Sequence, residues 1–176
     1  MNVPSTIRVL ALDVDGVLTD GTLAFTGILG TETKLFHVHD GLGICLWQNA
    51  GFHTLLISGR NAACVHTRAT ELDIKHVKQD SKDKIADLDH FLRKLNCTPE
   101  ETCFVGDDLG DIGVMQHVGY AVAVQNAVEE VKQIAHMTTN KSGGDGAVRE
   151  VVELLMNANN TWEECVSSLK TEHANQ

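Results

Sequence analysis

The stretch Val9-Leu10-Ala11-Leu12-Asp13-Val14-Asp15-Gly16-Val17-Leu18-Thr19 limits what this chain can fold into more than any other. A short apolar run, shaped like a buried parallel strand, ends abruptly in two aspartates one residue apart. Carboxylates are costly to bury, so a pair at the carboxyl end of a core strand calls for a reason. In open α/β sheets that end is the ligand edge. With Val14 between them, the two side chains cannot follow simple strand alternation, and the chain is expected to leave the sheet here. One carboxylate can then face a substrate while the other acts on it or shares a cation. Asp15-Gly16 is also ordinary turn chemistry, so the rest of the chain has to decide.

That rest alternates. Strands are expected at 7–12, 53–58, 75–77, 102–106, 120–124 and 137–138. Helices are expected from Asp40 to about Asn49, at 61–72, 82–95, 111–118 and 127–135, and from Ala147 to about Met156. Between the first strand and the first helix, Thr22–Thr26 and Thr33–Val38 flank Gly27 and Gly30 and read as a β-hairpin flap over about 22–37. A tail at about 158–176 carries a last helix, with a Thr161/Glu164 capping box and Trp162, Val166 and Leu169 on one face. Strands alternating with helices at this spacing give an α/β fold, a doubly wound Rossmann-like parallel sheet with helices on both faces. At 176 residues the chain is expected to form a single domain, 1–176.

A formal net charge of −10 argues against nucleic-acid and membrane-surface partners, which need clustered Lys and Arg. It leaves a phosphorylated substrate open, because a divalent cation reverses the sign of a small site. No apolar run approaches a membrane span, and the N-terminus lacks a signal-peptide pattern. Cys45, Cys64, Cys97, Cys103 and Cys165 form no CxxC pair and read as reduced core residues of a cytoplasmic protein.

Three strand ends carry polar signals: Asp13/Asp15, Ser58-Gly59, and Asp107/Asp108/Asp111, with Lys84 at a helix start between the last two. A doubly wound sheet brings such ends to one edge. Clustered carboxylates repel unless a cation is present, and hard oxygen donors favour Mg²⁺. A hydroxyl, backbone N–H groups and a lysine are the donors a phosphoryl group needs.

The ordered series DxDGxLTDG, SGR, lysine and GDDxxD resembles the haloacid-dehalogenase (HAD) superfamily of phosphatases. Over roughly 7–156 the chain resembles the 3-deoxy-D-manno-octulosonate 8-phosphate (KDO 8-phosphate) phosphatase family, with its hairpin, its DGxG turn (Asp40-Gly-Leu-Gly) and its GGxGAVRE segment (from Gly143). The resemblance implies Asp13 as nucleophile forming an aspartyl-phosphate and Asp15 as general acid and base. It implies Mg²⁺ on Asp13, the Asp15 main-chain carbonyl and Asp107, with Asp108 and Asp111 orienting ligands or waters behind them. Ser58 and Lys84 would neutralise the phosphate oxygens. Gly59, Arg60, Arg68, His37, His39, Asp40 and Gly41 match substrate-contact positions. The resemblance further implies no cap domain and a homotetramer in which hairpins meet and a neighbour covers each site.

The family usually reads Asn-Val-Arg-Asp-Gly at its DGxG turn, with a further Arg two residues after the second glycine. Here His39 and Cys45 stand in those places. The leading expectation is a Mg²⁺-dependent phosphatase acting on a small phosphorylated sugar acid such as KDO 8-phosphate. The alternatives are a broad-range phosphomonoesterase, or the accessory small subunit of a phenylphosphate-carboxylase-like complex.

Overall fold

The computed structural model describes residues 3–28 and 31–174, with side chains as far as residue 168. Its strands and helices run in the expected alternation. β1 (Val9–Leu12) is followed by the hairpin strands β2 (Ala24–Phe25) and β3 (Glu32–Thr33), then α1 (Val38–Asn49), β4 (His53–Ile57), α2 (Ala63–Glu71), β5 (His76–Lys78) and α3 (Lys84–Leu95). β6 (Thr102–Gly106), α4 (Ile112–His117), β7 (Tyr120–Ala123), α5 (Glu129–Ile134), β8 (Met137–Thr138), α6 (Ala147–Ala158) and α7 (Trp162–Ala174) complete it. The sheet is all parallel in the order β5-β4-β1-β6-β7-β8. Leu10, Leu12, Leu55, Ile57 and Phe104 are fully buried in it, as strands covered on both faces require.

From β1 the chain steps outward to β4 and β5, returns to β6 on the other side of β1, and continues outward to β7 and β8. Right-handed crossovers therefore put α1 and α2 on one face and α3, α4 and α5 on the other. α6 packs along α1, while α3 packs on α4 and α4 on α5. The reversal falls between β1 and β6, and a switch of this kind opens a crevice at the carboxyl ends of the two strands. Asp13 follows β1 and Asp107 follows β6; the Asp13 N–H donates to the Val105 carbonyl at 3.1 Å, which locks the two ends together. Among the described residues no cap domain interrupts the core fold: only the hairpin lies between β1 and α1.

Several boundaries differ from the sequence reading for physical reasons. The hairpin strands shrink to two residues each because an isolated two-stranded ribbon has no sheet to extend it. Its Leu29 and Gly30 lie outside the described residues. α1 starts at Val38, two residues before Asp40, because the Asp40 carboxylate serves another helix: its Oδ1 accepts from the Arg149 N–H at 2.8 Å, in the first turn of α6. Gly43 allows the same two helices to approach, since a Cβ there would lie 3.1 Å from the Arg149 side chain.

The Gly143-Gly144 pair presses on the loop after β1. A Cβ on Gly143 would lie 1.7 Å from the Gly16 carbonyl oxygen, and the Gly144 N–H donates to the Val17 carbonyl at 3.0 Å. The tail helix folds back on its own protomer: Trp162 and Cys165 pack against the core, and the Arg149 guanidinium lies 5.1 Å from the Trp162 ring centre. The Thr161 hydroxyl donates to the Met156 carbonyl (3.3 Å) and closes the end of α6. Leu169, expected on the same face, has its side chain outside the described residues.

Candidate active site

Beyond Leu12 the backbone turns tightly, with Leu18 and Thr19 N–H groups both donating to the Val14 carbonyl. The buried Thr19 hydroxyl staples the turn, accepting from the Gly16 and Gly21 N–H groups at 3.3 Å each. Gly16 is required at its place: its φ is +93°, and a Cβ would fall 1.9 Å from the Asp107 Oδ2.

Asp13, Asp107 and Asp111 each place a carboxylate oxygen within 4.8 Å of the others. Lys84 Nζ donates to Asp13 Oδ1 and to Asp111 Oδ1, both at 2.6 Å. A lysine in the first turn of a helix opposes the helix dipole, and here the two carboxylates offset that cost. Asp83 caps the helix by accepting from the Ile85 and Ala86 N–H groups, and so fixes where Lys84 emerges. Asp111 uses its second oxygen on the Asp107 N–H at 3.1 Å, holding the loop after β6; Asp108 accepts from Leu109 N–H and caps the short 3₁₀ turn.

Three carboxylates face one ammonium. Burial, with the charge of Asp111, pushes the Asp13 carboxyl up to about 7 in spite of Lys84. Burial, with the charges of Asp13, Asp111 and Asp108, does the same to Asp107, also to about 7. Burial would lower the Lys84 ammonium, but the charges of Asp13 and Asp111 outweigh it and hold it above its ordinary value. A hard divalent cation fits this donor set: oxygen ligands only, on a buried cluster with surplus negative charge.

Asp13, Asp15, Ser58, Gly59, Arg60, Lys84, Asp107, Asp108 and Asp111 share one open crevice of about 350 Å³. Ser58 is buried, its N–H donating to the Lys78 carbonyl (2.9 Å) and its hydroxyl accepting from the Arg60 N–H (3.2 Å). The remaining expected contacts are elsewhere in this protomer. His37 and His39 line a separate cleft with Asp145, Gly146 and Arg149. Asp40 is buried under that cleft as the cap of α6; burial raises its carboxyl, against the Arg149 N–H. Gly41 makes room for Arg68, whose guanidinium donates to the His37 carbonyl (3.3 Å) and to Glu71 (2.9 Å). None of these five lines the crevice itself.

Sequence reasoning missed Glu32 and Lys34. The Lys34 side chain is 1% exposed, paired with Asp15 and, at 2.9 Å, with Glu32. Burial would lower its ammonium, but the hydrogen bonds to Asp15 and Glu32 prevail and raise it. The only signal was spacing: residues two apart on a strand share a face.

A doubly wound parallel sheet, a hairpin in place of a cap, and aspartates on the loops after two adjacent strands with a lysine between them define a HAD-type hydrolase. The profile of that family, the haloacid dehalogenase-like hydrolases, matches residues 64–151. The 3-deoxy-D-manno-octulosonate 8-phosphate phosphatase of Yersinia pestis is 41% identical over 157 residues, covering 89% of this chain and 83% of that protein. Its Escherichia coli K12 counterpart is 42% identical, covering 90% and 84%. The crystal structure of the Moraxella catarrhalis phosphatase, in complex with a magnesium ion, a phosphate ion and KDO, superposes with a TM-score of 0.90 at 37% identity, covering 94% of each chain. This chain belongs to the 3-deoxy-D-manno-octulosonate 8-phosphate phosphatase family.

Proposed function

We propose that this chain hydrolyses the phosphomonoester of KDO 8-phosphate, with Mg²⁺, through an aspartyl-phosphate. The observation that carries the reading is the buried Asp13–Lys84–Asp111 array beside Asp107 at the switch between β1 and β6. Asp13 attacks phosphorus as the P–O bond to the sugar breaks, and Asp15 gives its proton to the departing oxygen. Asp15, now a carboxylate, then takes a proton from water as that water attacks phosphorus; phosphate leaves and Asp13 is restored. Lys84 and Ser58 hold the non-bridging oxygens, and Lys84 keeps Asp13 aimed. Asp13, Asp107 and the main-chain carbonyl of Asp15 would hold Mg²⁺, whose charge offsets that of the phosphoryl group and the carboxylates. Asp111 and Asp108 keep the loop after β6 in shape.

A broad-range phosphomonoesterase is the second reading, favoured by His39 and Cys45 where the family pattern has arginines, since neither offers a bidentate guanidinium. The accessory-subunit reading is weaker: a scaffold has no use for clustered buried carboxylates. Phosphate release from sugar-acid phosphates, sugar phosphates and nucleotides, with Mg²⁺ and with EDTA, separates these readings. The expected result is a preference for KDO 8-phosphate of about 100-fold in kcat/KM, lost in EDTA. Even, weak release across the panel sinks the specific reading, and none at all sinks the phosphatase.

The chain is also proposed to work as a homotetramer joined through the hairpin. Phe25, Ile28, Leu35 and Val38 are each 70% or more exposed, large apolar side chains on and just after the hairpin that a lone chain would show to water. Sedimentation should give the mass of four chains; a monomer at micromolar concentration refutes it. A reducing, cytoplasmic setting suits five unpaired cysteines. Among the described residues no helix is long and apolar enough to cross a membrane.

A further inference from the structure

Four charged side chains close a ring beside the crevice. Lys34 pairs with Asp15 Oδ1 and with Glu32 Oε1 (2.9 Å); Arg60 pairs with Glu32 Oε2 (2.6 Å) and, through Nε, with Asp15 Oδ2 (3.8 Å). Signs alternate around it, and it ties three separate segments together: the hairpin, the loop after β1 and the loop after β4. Its members differ in tightness. Asp15 Oδ1 is held by a donor whose side chain is almost wholly buried, whereas Asp15 Oδ2 is buried with no hydrogen-bond partner among the described residues. Stability alone is a poor reason for this arrangement, because desolvating two charges consumes most of what their attraction returns, and apolar residues of like volume do as well. Orientation is a better one.

We infer that Lys34 is a positioning residue for Asp15: it clamps one carboxylate oxygen from the hairpin and leaves the other to carry the proton exchanged with the substrate. This rests on the role proposed above for Asp15. Among the described residues its ion pairs run to Asp15 and Glu32, not to Ser58 or Lys84, the proposed phosphate-binding groups, so its removal should spare phosphate binding and Asp13 attack while impairing proton delivery.

The test exploits leaving groups. An aryl phosphate such as p-nitrophenyl phosphate departs without protonation, whereas the alkyl oxygen of KDO 8-phosphate requires it, and kcat/KM reports only the steps through leaving-group departure. Lys34→Met and Lys34→Gln should lose about 100-fold in kcat/KM on KDO 8-phosphate but less than about 3-fold on p-nitrophenyl phosphate. Glu32→Gln leaves the ammonium its Asp15 partner and should show the same selectivity, more weakly. It carries the comparison if unfolding midpoints show that the Lys34 variants do not fold. Equal losses on both substrates in folded variants, or no loss on either, overturn the inference. Asp15→Asn is run beside them: if it shows no alkyl-selective loss, the acid role of Asp15 fails and the inference goes with it. If Asp15→Asn is selective and the ring variants are not, Lys34 alone is refuted.

Discussion

Asp13→Asn will fold, retain the Lys84 contact, and turn over at least about 10⁴-fold more slowly than the wild type. The amide keeps the shape of the carboxylate, and its oxygen can still accept from Lys84 Nζ, 2.6 Å from Asp13 Oδ1 in the native protein. What it lacks is the nucleophile of the proposed reaction. An amide does not form the acyl-phosphate bond, so no phosphorylated enzyme should accumulate. The same substitution removes one of three clustered carboxylates from a site where burial and the charge of Asp111 work against ionisation of Asp13. The metal-free variant should therefore unfold at a higher temperature than the metal-free wild type at about pH 8. An inactive but more stable protein is the mark of a residue kept for chemistry at the expense of the fold. Phosphate release and thermal unfolding in EDTA measure both halves. Activity within about 100-fold of wild type would remove Asp13 from the nucleophile's place.

The residues that made this site legible are those where sequence conflicts with ordinary folding rules. Asp13 and Asp107 end apolar runs, and Lys84 opens a helix against its dipole. Each signals a ligand or a close approach, and the alternation of elements places the signals on one edge. Glu32 and Lys34 give no such conflict. A Glu-Thr-Lys sequence in a short hairpin reads as a solvated ribbon, and only the three-dimensional return of the hairpin over Asp15 buries the lysine. Asp40 carries a structural duty that its sequence neighbourhood does not show. Its position beside two glycines resembles a binding turn, whereas in this protomer it caps a helix 109 residues away and the glycines clear Arg68 and Arg149. A contact at that separation leaves no periodicity to read. The hairpin strands were overextended because alternation specifies a strand only where a neighbouring sheet receives it.

Mg²⁺ should stabilise this protein strongly at about pH 8 and weakly at about pH 5. In the unfolded chain the Asp13 and Asp107 carboxyls ionise near their ordinary value of 3.8; in the folded protein burial and mutual repulsion lift both to about 7. Between those values the folded state holds protons that the unfolded state has released. Metal-free stability is therefore fullest below about pH 4, as far as these two groups decide it, and is lost as the pH rises through about 7. Mg²⁺ requires the carboxylates ionised, so it competes with the protons at low pH and binds freely above 7. At a concentration near 100 times its dissociation constant it contributes about 2.7 kcal/mol, equivalent to a rise of about 5–10 °C in Tm for a chain of this size. Thermal scans with EDTA and with Mg²⁺ across this range should show metal-free Tm falling from about pH 5 to 8 while the Mg²⁺-induced shift grows. A shift independent of pH, or larger in acid, would place the cation away from Asp13 and Asp107. Asp107→Asn supplies the complementary arm: with one carboxylate gone, the metal-free protein should lose part of its pH dependence, and Mg²⁺ should no longer raise its Tm by more than about 2 °C.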